Sequence, residues 1–163
     1  MDEADPAPKL IVLLDELARV RGRLQVSFRP AREQSGLSEM QMVVLSAVVG
    51  AGRPPTVPQI GRSLGHPRQV IQRAALELAG LGLIELIDNP DHKRARLLEA
   101  TMAGRALHAK ASKRALQLAR GLTSGLDPAL IHRLTDGLRA LRERLEQNVR
   151  ATGAGESGDE AGE

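Results

Sequence analysis

The sequence predicts a mainly α-helical chain with one small β-hairpin set between its helices. Three features point there. Apolar residues recur at helical spacing near both ends, as in Leu10, Leu13, Leu14, Leu17, Val20, Leu24 and Phe28, and that period marks a helix with one apolar face. Two S/T-x-x-Q signatures, Ser38 with Gln41 and Thr56 with Gln59, read as capping boxes, in which each side chain accepts the other residue's orphan backbone N–H. Residues 83–87 are apolar with one Glu and run into Asp88-Asn89-Pro90-Asp91, a strong turn signal.

The first helix is expected over about 9–30, ending near Pro30. Residues 1–8 before it and 150–163 at the other end carry acids, Pro or Gly and few apolar anchors, so both are expected to be disordered tails. The second helix starts after Ser38, with Leu37 and Met42 at the staple positions, and runs through Val44, Leu45 and Val48 to Gly50-Ala51-Gly52. A short third helix should span Val57 to Leu64 and stop at Gly65. Pro67 stands where a first helical residue would. Ile71, Ala75 and Leu78 carry the fourth helix to about Leu81, with Gly82 as its left-handed stop.

The hairpin's second strand is the awkward element. Residues 94–100 read Arg-Ala-Arg-Leu-Leu-Glu-Ala, a better helix former than strand former. Read locally, they would merge with a fifth helix capped by Thr101, whose apolar line is Leu107, Ala111, Ala115, Leu118 and Leu122. Asp127-Pro128 opens a sixth helix with Leu130, Leu134, Leu138, Leu141 and Leu145, continuing to Val149. That is too much leucine for a lone surface helix. It calls for a partner, either the first helix or a second copy of the chain.

Composition removes whole classes of function. The 163 residues hold no Cys, Trp or Tyr, and Phe28 is the one aromatic side chain. Disulfide scaffolds, thiolate metal sites and cysteine nucleophiles are excluded, and reading single strands by base stacking needs more rings than one. With no apolar run of about 18 residues and no basic leader before a short apolar stretch, a soluble cytoplasmic chain without a membrane partner is expected. The formal charge of +3 masks an uneven distribution. Asp2, Glu3, Asp5, Glu156, Asp159, Glu160 and Glu163 lie in the two ends, leaving 23 bases against 13 acids between them, about +10. Arg105, Lys110, Lys113, Arg114 and Arg120 fall in an acid-free stretch from 100 to 126. Such a body suits a polyanion, and equally a solvated face.

The third and fourth helices, joined by a tight Gly turn, form a helix-turn-helix candidate over 56–81. Gly61 is small where the two would cross, and Ile60, Leu64, Ile71 and Leu78 can fill their shared core. The opposite face of the fourth helix presents Arg68, Gln69, Gln72 and Arg73, side-chain types that make bidentate contacts to guanine and adenine edges in a major groove. Two packed helices with a polar outer face would look the same. A hairpin directly after such a pair is a wing. Its tip holds Lys93, Arg94 and Arg96, cations suited to phosphates or a narrow minor groove. Ser38, Arg62 and His66 are further candidates for phosphate contacts.

In order and length, residues 9–149 resemble the multiple antibiotic resistance regulator (MarR) family of winged-helix bacterial transcription factors. The residues carrying the resemblance are Gly36-Leu37-Ser38 through Gln41 to Val44-Leu45, Ile60-Gly61 through Leu64-Gly65, and Leu78-x-x-x-Gly82-Leu83-Ile84. Most specific is Asn89-Pro90-Asp91-His92-Lys93-Arg94, followed by Leu97-Leu98 and Thr101-x-x-Gly104, which is similar to the family's wing. The resemblance implies a homodimer on a pseudo-palindromic duplex. The winged lobe would span about 36–100, and 9–30 with 101–149 would be dimerisation helices using Leu10, Leu14, Leu17, Leu134, Leu138, Leu141 and Leu145. The fourth helix would enter the major groove and Lys93 and Arg94 the adjacent minor groove. The resemblance also implies a strand at about 95–99, against its propensity. Many relatives are released from DNA by small phenolic or carboxylate effectors in a cleft between lobe and dimer helices. With Phe28 alone for stacking, such a cleft here would be aliphatic and basic.

This chain departs from the family pattern twice. His92 stands where an acid usually orients the wing arginine, so either Asp91 takes over or Arg94 is less ordered and contributes mostly charge. The reading helix starts at His66-Pro67 rather than a Ser or Thr cap, and a cationic His is unfavourable there. His66 is therefore expected to be neutral or turned toward phosphate.

Rival chemistry finds little support. Val48-Val49-Gly50-Ala51-Gly52 would need a strand before it and a helix after it to cradle a dinucleotide, yet it follows a capped helix and precedes Pro54-Pro55. His66, His92, His108 and His132 match no zinc spacing, and no catalytic triad order or paired carboxylates occur in a recognisable context. No cofactor and no enzymatic activity are expected. The alternative is a helical protein-binding module that sets the basic fifth helix and leucine-rich sixth helix on an acidic partner, without DNA specificity.

Overall fold

Two helices of the central part start on side chains that satisfy the orphan backbone N–H groups at their N-terminal ends. The computed structural model describes residues 5–92 and 94–156, with side chains through Val149. Lys93 and the terminal residues 1–4 and 157–163, which hold one expected wing cation and parts of both expected tails, lie outside the described residues. Among the described residues the order is α1 (Ala7–Glu33), α2 (Glu39–Gly50), α3 (Val57–Leu64), α4 (Arg68–Gly80), β1 (Ile84–Ile87), β2 (Leu97–Ala100), α5 (Met102–Leu122) and α6 (Pro128–Glu156). No described helix is long and apolar enough to cross a membrane. The chain divides into two units, residues 1–120 and 121–163.

Both capping boxes form. The Ser38 and Gln41 pair closes with N–H donations of 2.8 and 3.2 Å, and the Thr56 and Gln59 pair with 2.7 and 3.4 Å. Gly65 ends α3 at φ +65°, and Gly82 follows α4 at φ +68°, the left-handed region that favours glycine. One capping detail differs from expectation: Pro67 is the N-cap of α4, with ψ of 140°, so Arg68 is the first helical residue.

Elements α2, α3, α4 and the hairpin share one core. Val44 and Leu45 of α2, Ile71, Ala75 and Leu78 of α4, Ile84 of β1 and Leu98 of β2 are essentially fully buried. Gly61 packs where a Cβ would stand 3.0 Å from the His66 carbonyl, so the α3–α4 crossing leaves little room for a larger residue. Strand β1 pairs antiparallel with β2, matching Ile84 to Ala100 and Leu86 to Leu98. Residues 97–100 extend despite their helical propensity because alternation there places Leu98 and Ala100 in the core and lets the Leu98 N–H donate to the Pro55 carbonyl at 2.8 Å. The strand starts later than the expected 95, since Ala95 is held in the hairpin tip by the His92 carbonyl and the Asn89 side chain.

Both long terminal helices exceed their expected limits. Helix α1 begins at Ala7, where the Asp5 carboxylate accepts the Ala7 N–H and Pro8 suits the first turn. It then passes through Pro30 to Glu33, where a proline near the end costs one backbone hydrogen bond without ending the last turn. Ser35 and left-handed Gly36 close it. In the second unit, Asp127 caps α6 through the Ala129 N–H at 2.9 Å. The helix is described to Glu156, into the stretch expected to be tail.

The tightest approach joins the hairpin to α5. The Thr101 hydroxyl donates to the Gly82 carbonyl at 2.7 Å and accepts the Gly104 N–H at 3.0 Å, while the Thr101 N–H donates to the Leu83 carbonyl. A Cβ on Gly104 would lie 1.9 Å from that carbonyl oxygen. Gly104→Ala should therefore destabilise the winged unit by about 2–3 kcal/mol or more through a backbone clash. Gly137→Ala, in open space on α6, should stabilise by about 0.5–1 kcal/mol. Urea unfolding of both variants checks the pair of opposite signs.

Candidate nucleic-acid interface

The buried side of α4 is Ile71, Ala74, Ala75 and Leu78, so at 100° per residue the outward centre falls on Gln69, Arg73 and Leu76. Arg68 and Gln72 lie on one flank of that centre and Glu77 on the other. Arg68, Gln69, Gln72, Arg73, Leu76 and Glu77 together line one shallow open concavity. All four side chains singled out from sequence are thus on one face. Arg68, Gln69 and Arg73 are exposed and Gln72 is half-buried. No side chain of Arg68, Gln69 or Gln72 makes a hydrogen bond or ion pair among the described residues.

Sequence reasoning missed two members of this face. Leu76 is 53% exposed, beside the polar candidates, and an apolar side chain in a major groove can meet a thymine methyl. Its spacing from Gln69 and Gln72 was the available signal. Glu77 binds Arg73, with the guanidinium Nε donating to Oε1 at 3.0 Å. Its second oxygen accepts from Gln41 Nε2 at 2.9 Å. The Arg73 hydrogen bond, then the one from Gln41, holds the Glu77 carboxyl below the ordinary carboxylate range. The i,i+4 spacing of Arg73 and Glu77 was visible in the sequence; the link to α2 was not.

The candidate phosphate contacts sit at the rims. Ser38 is spent on its cap, leaving an exposed α2 N-terminus. Arg62 is exposed near the end of α3, and His66 is exposed in the turn, its N–H donating to the Gly61 carbonyl at 3.0 Å.

The wing is ordered by other residues than expected. Asn89 spans the tip, donating to the Ala95 carbonyl at 2.9 Å and accepting the Asp91 N–H at 3.0 Å. Asp91 makes no ion pair with Arg94 among the described residues, so it does not take over the missing acid's role. Arg94 is exposed. The guanidinium held in place is that of Arg96, which donates to the Leu86 carbonyl and lies 3.8 Å from Asp88.

Of the residues singled out for dimerisation, Leu14, Leu134, Leu138 and Leu145 are exposed, while Leu10, Leu17 and Leu141 are half-buried. Ile11, Val12 and Val26 of α1 are about two-thirds exposed as well. Within the first unit, Phe28 and Arg32 of α1, Met42 and Ser46 of α2, and Ala111 and Ala115 of α5 line a cavity of about 150 Å³. Among the described residues, no group of three or more His, Asp or Glu is placed to hold a metal ion.

A helix-turn-helix followed by a two-stranded wing and flanked by long helices defines the winged-helix class of helix-turn-helix folds. Residues 35–95 match the sequence profile of the MarR family. The uncharacterized protein Rv2011c of Mycobacterium tuberculosis is 35% identical over 138 residues, spanning 85% of this chain and 93% of that one. The fold is similar to a MarR-family transcriptional regulator from Rhodococcus sp. RHA1, with a TM-score of 0.72 at 21% identity over 85% of this chain and 96% of that one. It is also similar to BpsR of Bordetella bronchiseptica, whose DNA binding is regulated by 6-hydroxynicotinic acid, with a TM-score of 0.69 at 23% identity over 78% and 91% of the two chains. The chain belongs to the MarR family.

Because the folded Glu77 carboxyl titrates below its ordinary range, its contribution to stability is present above the unfolded pKa. That contribution is lost as pH falls through the lower folded value. Thermal melts from roughly pH 6 to pH 3 should show a smaller acid-induced loss in Glu77→Gln than in the unaltered chain. Parallel pH profiles would assign the loss to other carboxylates.

Proposed function

We propose that the chain is a homodimeric repressor that reads a palindromic duplex through α4 and steadies itself with the wing. The supporting observation is the α4 face: among the described residues the side chains of Arg68, Gln69 and Gln72 are unpartnered, Arg73 is paired with Glu77, and the opposite side is sealed into a core. Folding alone leaves three of these four polar groups unused, and major-groove base edges are the partners their chemistry fits. Arg62, His66, Lys93, Arg94 and the α2 N-terminus at Ser38 would hold phosphates around the groove. Arg96 would stiffen the wing from within.

Dimerisation is proposed on the apolar stripes of α1 and α6. An isolated helix has nothing on which to bury Leu134, Leu138 and Leu145, and a second copy supplies the matching stripe. The cavity between Phe28, Arg32, Met42 and Ala115 is the proposed effector site. Its one ring and one guanidinium suit a small aromatic acid, although about 150 Å³ falls below the roughly 300 Å³ typical of ligand pockets, so binding would have to widen it. The proposed role is binding rather than catalysis, exercised in the cytoplasm where a bacterial operator is found.

Selection from a random duplex library should return an inverted repeat with half-sites roughly 34–36 Å apart. Arg68→Ala should weaken that site by about 1–3 kcal/mol, while Arg94→Ala should lower the salt slope by about one charge. Recovery of no common sequence would leave a helical protein-binding module instead. Leu134→Asp combined with Leu138→Asp should sediment as a monomer with weak operator binding; a persistent dimer would remove α6 from the interface.

A further inference from the structure

We propose that Glu77 is a positioning residue: anchored by Gln41 at the start of α2, it holds Arg73 end-on to the groove and sets which base is read. This rests on the DNA-reading role proposed above. The chemistry lies in which atoms are engaged. Arg73 spends its Nε–H on Glu77 Oε1 at 3.0 Å, leaving four N–H groups on its two terminal nitrogens. Those nitrogens form the parallel pair that fits guanine O6 and N7.

An exposed Arg–Glu pair one helical turn apart is ordinarily loose and contributes little. Here the acceptor is tied from a second helix. Gln41 Nε2 donates to Glu77 Oε2 at 2.9 Å, and the same amide's Oε1 accepts the Ser38 N–H at 2.8 Å. The amide cannot turn away without opening the α2 cap, so both carboxylate oxygens are held. Arg68 has no comparable tether among the described residues and can swing to follow a phosphate. Two arginines on one helix are thereby divided between reading and holding. A carboxylate facing phosphates weakens binding to any duplex, and a group that lowers general affinity while fixing one reader raises selectivity.

Gln41→Glu isolates the effect. S-x-x-E is itself a capping box, so the α2 cap is retained while the donor to Glu77 becomes a like charge. Affinities are measured at one salt concentration for the selected operator and for a scrambled duplex. The expected result is a loss of about fivefold or more in operator preference, with no further loss when combined with Arg73→Ala. Glu77→Ala should behave the same way. An equal change in both affinities would reduce Glu77 to a general charge and overturn the proposal, as would a loss fully additive with Arg73→Ala, which would make Glu77 a base contact itself. A parent chain with no operator preference overturns instead the DNA reading on which this rests. In the free protein, the Arg73 Nε–H should exchange slowly by NMR and faster in Gln41→Glu; rapid exchange in both removes the clamp.

Discussion

The winged unit is organised around one point of backbone contact, where Gly104 lies against the Leu83 carbonyl. Four segments meet there. The left-handed turn at Gly82 ends α4, Leu83 leads into β1, Ala100 ends β2, and Thr101 starts α5. Thr101 satisfies the Gly82 carbonyl with its hydroxyl hydrogen, the Gly104 N–H with its hydroxyl oxygen, and the Leu83 carbonyl with its N–H. The angle between reading helix and wing follows from this junction, because neither strand can shift without breaking it. A methyl group at residue 104 would force them apart.

Local signals were legible wherever both partners of a contact lie within four residues. The two capping boxes, the glycine stops and the apolar stripes are all of this kind, which is why α2, α3 and α4 could be placed closely from sequence. Residues 97–100 show the limit. Their propensity favours helix, and only the family resemblance suggested a strand, because burial of Leu98 and Ala100 against distant elements outweighs it. At the reading face, the four polar side chains were legible as a helical face, whereas the Glu77–Gln41 contact joins residues 36 apart. The wing repeats the lesson. Arg94 matched the motif, but Arg96 found the carbonyl and carboxylate that hold it, through pairing geometry no local pattern encodes.

Charge and its pairing explain why a net +3 is a poor guide to the surface. Most described ion pairs join exposed groups along one helix, such as Arg19 with Asp15 and Arg139 with Asp136, and pairs of this kind neither stabilise much nor leave a strong field. On the reading face and wing, Arg68 and Arg94 are left without such partners among the described residues. Arg73 and Arg96 are paired, and each pairing fixes a direction. Under the proposed role, the unpaired cations would attract a duplex and the paired ones would hold a set direction toward it.

The burial of apolar surface divides the chain along the same line as its proposed roles. In the first unit Val44, Leu45, Ile71, Leu78, Ile84 and Leu98 close a complete core, so the reading helix and wing need nothing further to hold their shape. The stripe on α6 has no such closure, with Leu134 at 54% and Val149 at 71% exposed. An exposed leucine stripe of this kind suits a protein partner. If a second copy covers them, the two rigid readers are tied at one spacing, and the second half-site is met at high effective concentration. Affinity for the whole site then depends on helices that touch no base. The cavity lined by Phe28 and Arg32 of α1, by Met42 and Ser46 of α2 and by Ala111 and Ala115 of α5 lies between α2 and two of those helices, so an occupant that moved α1 or α5 against α2 would alter that spacing.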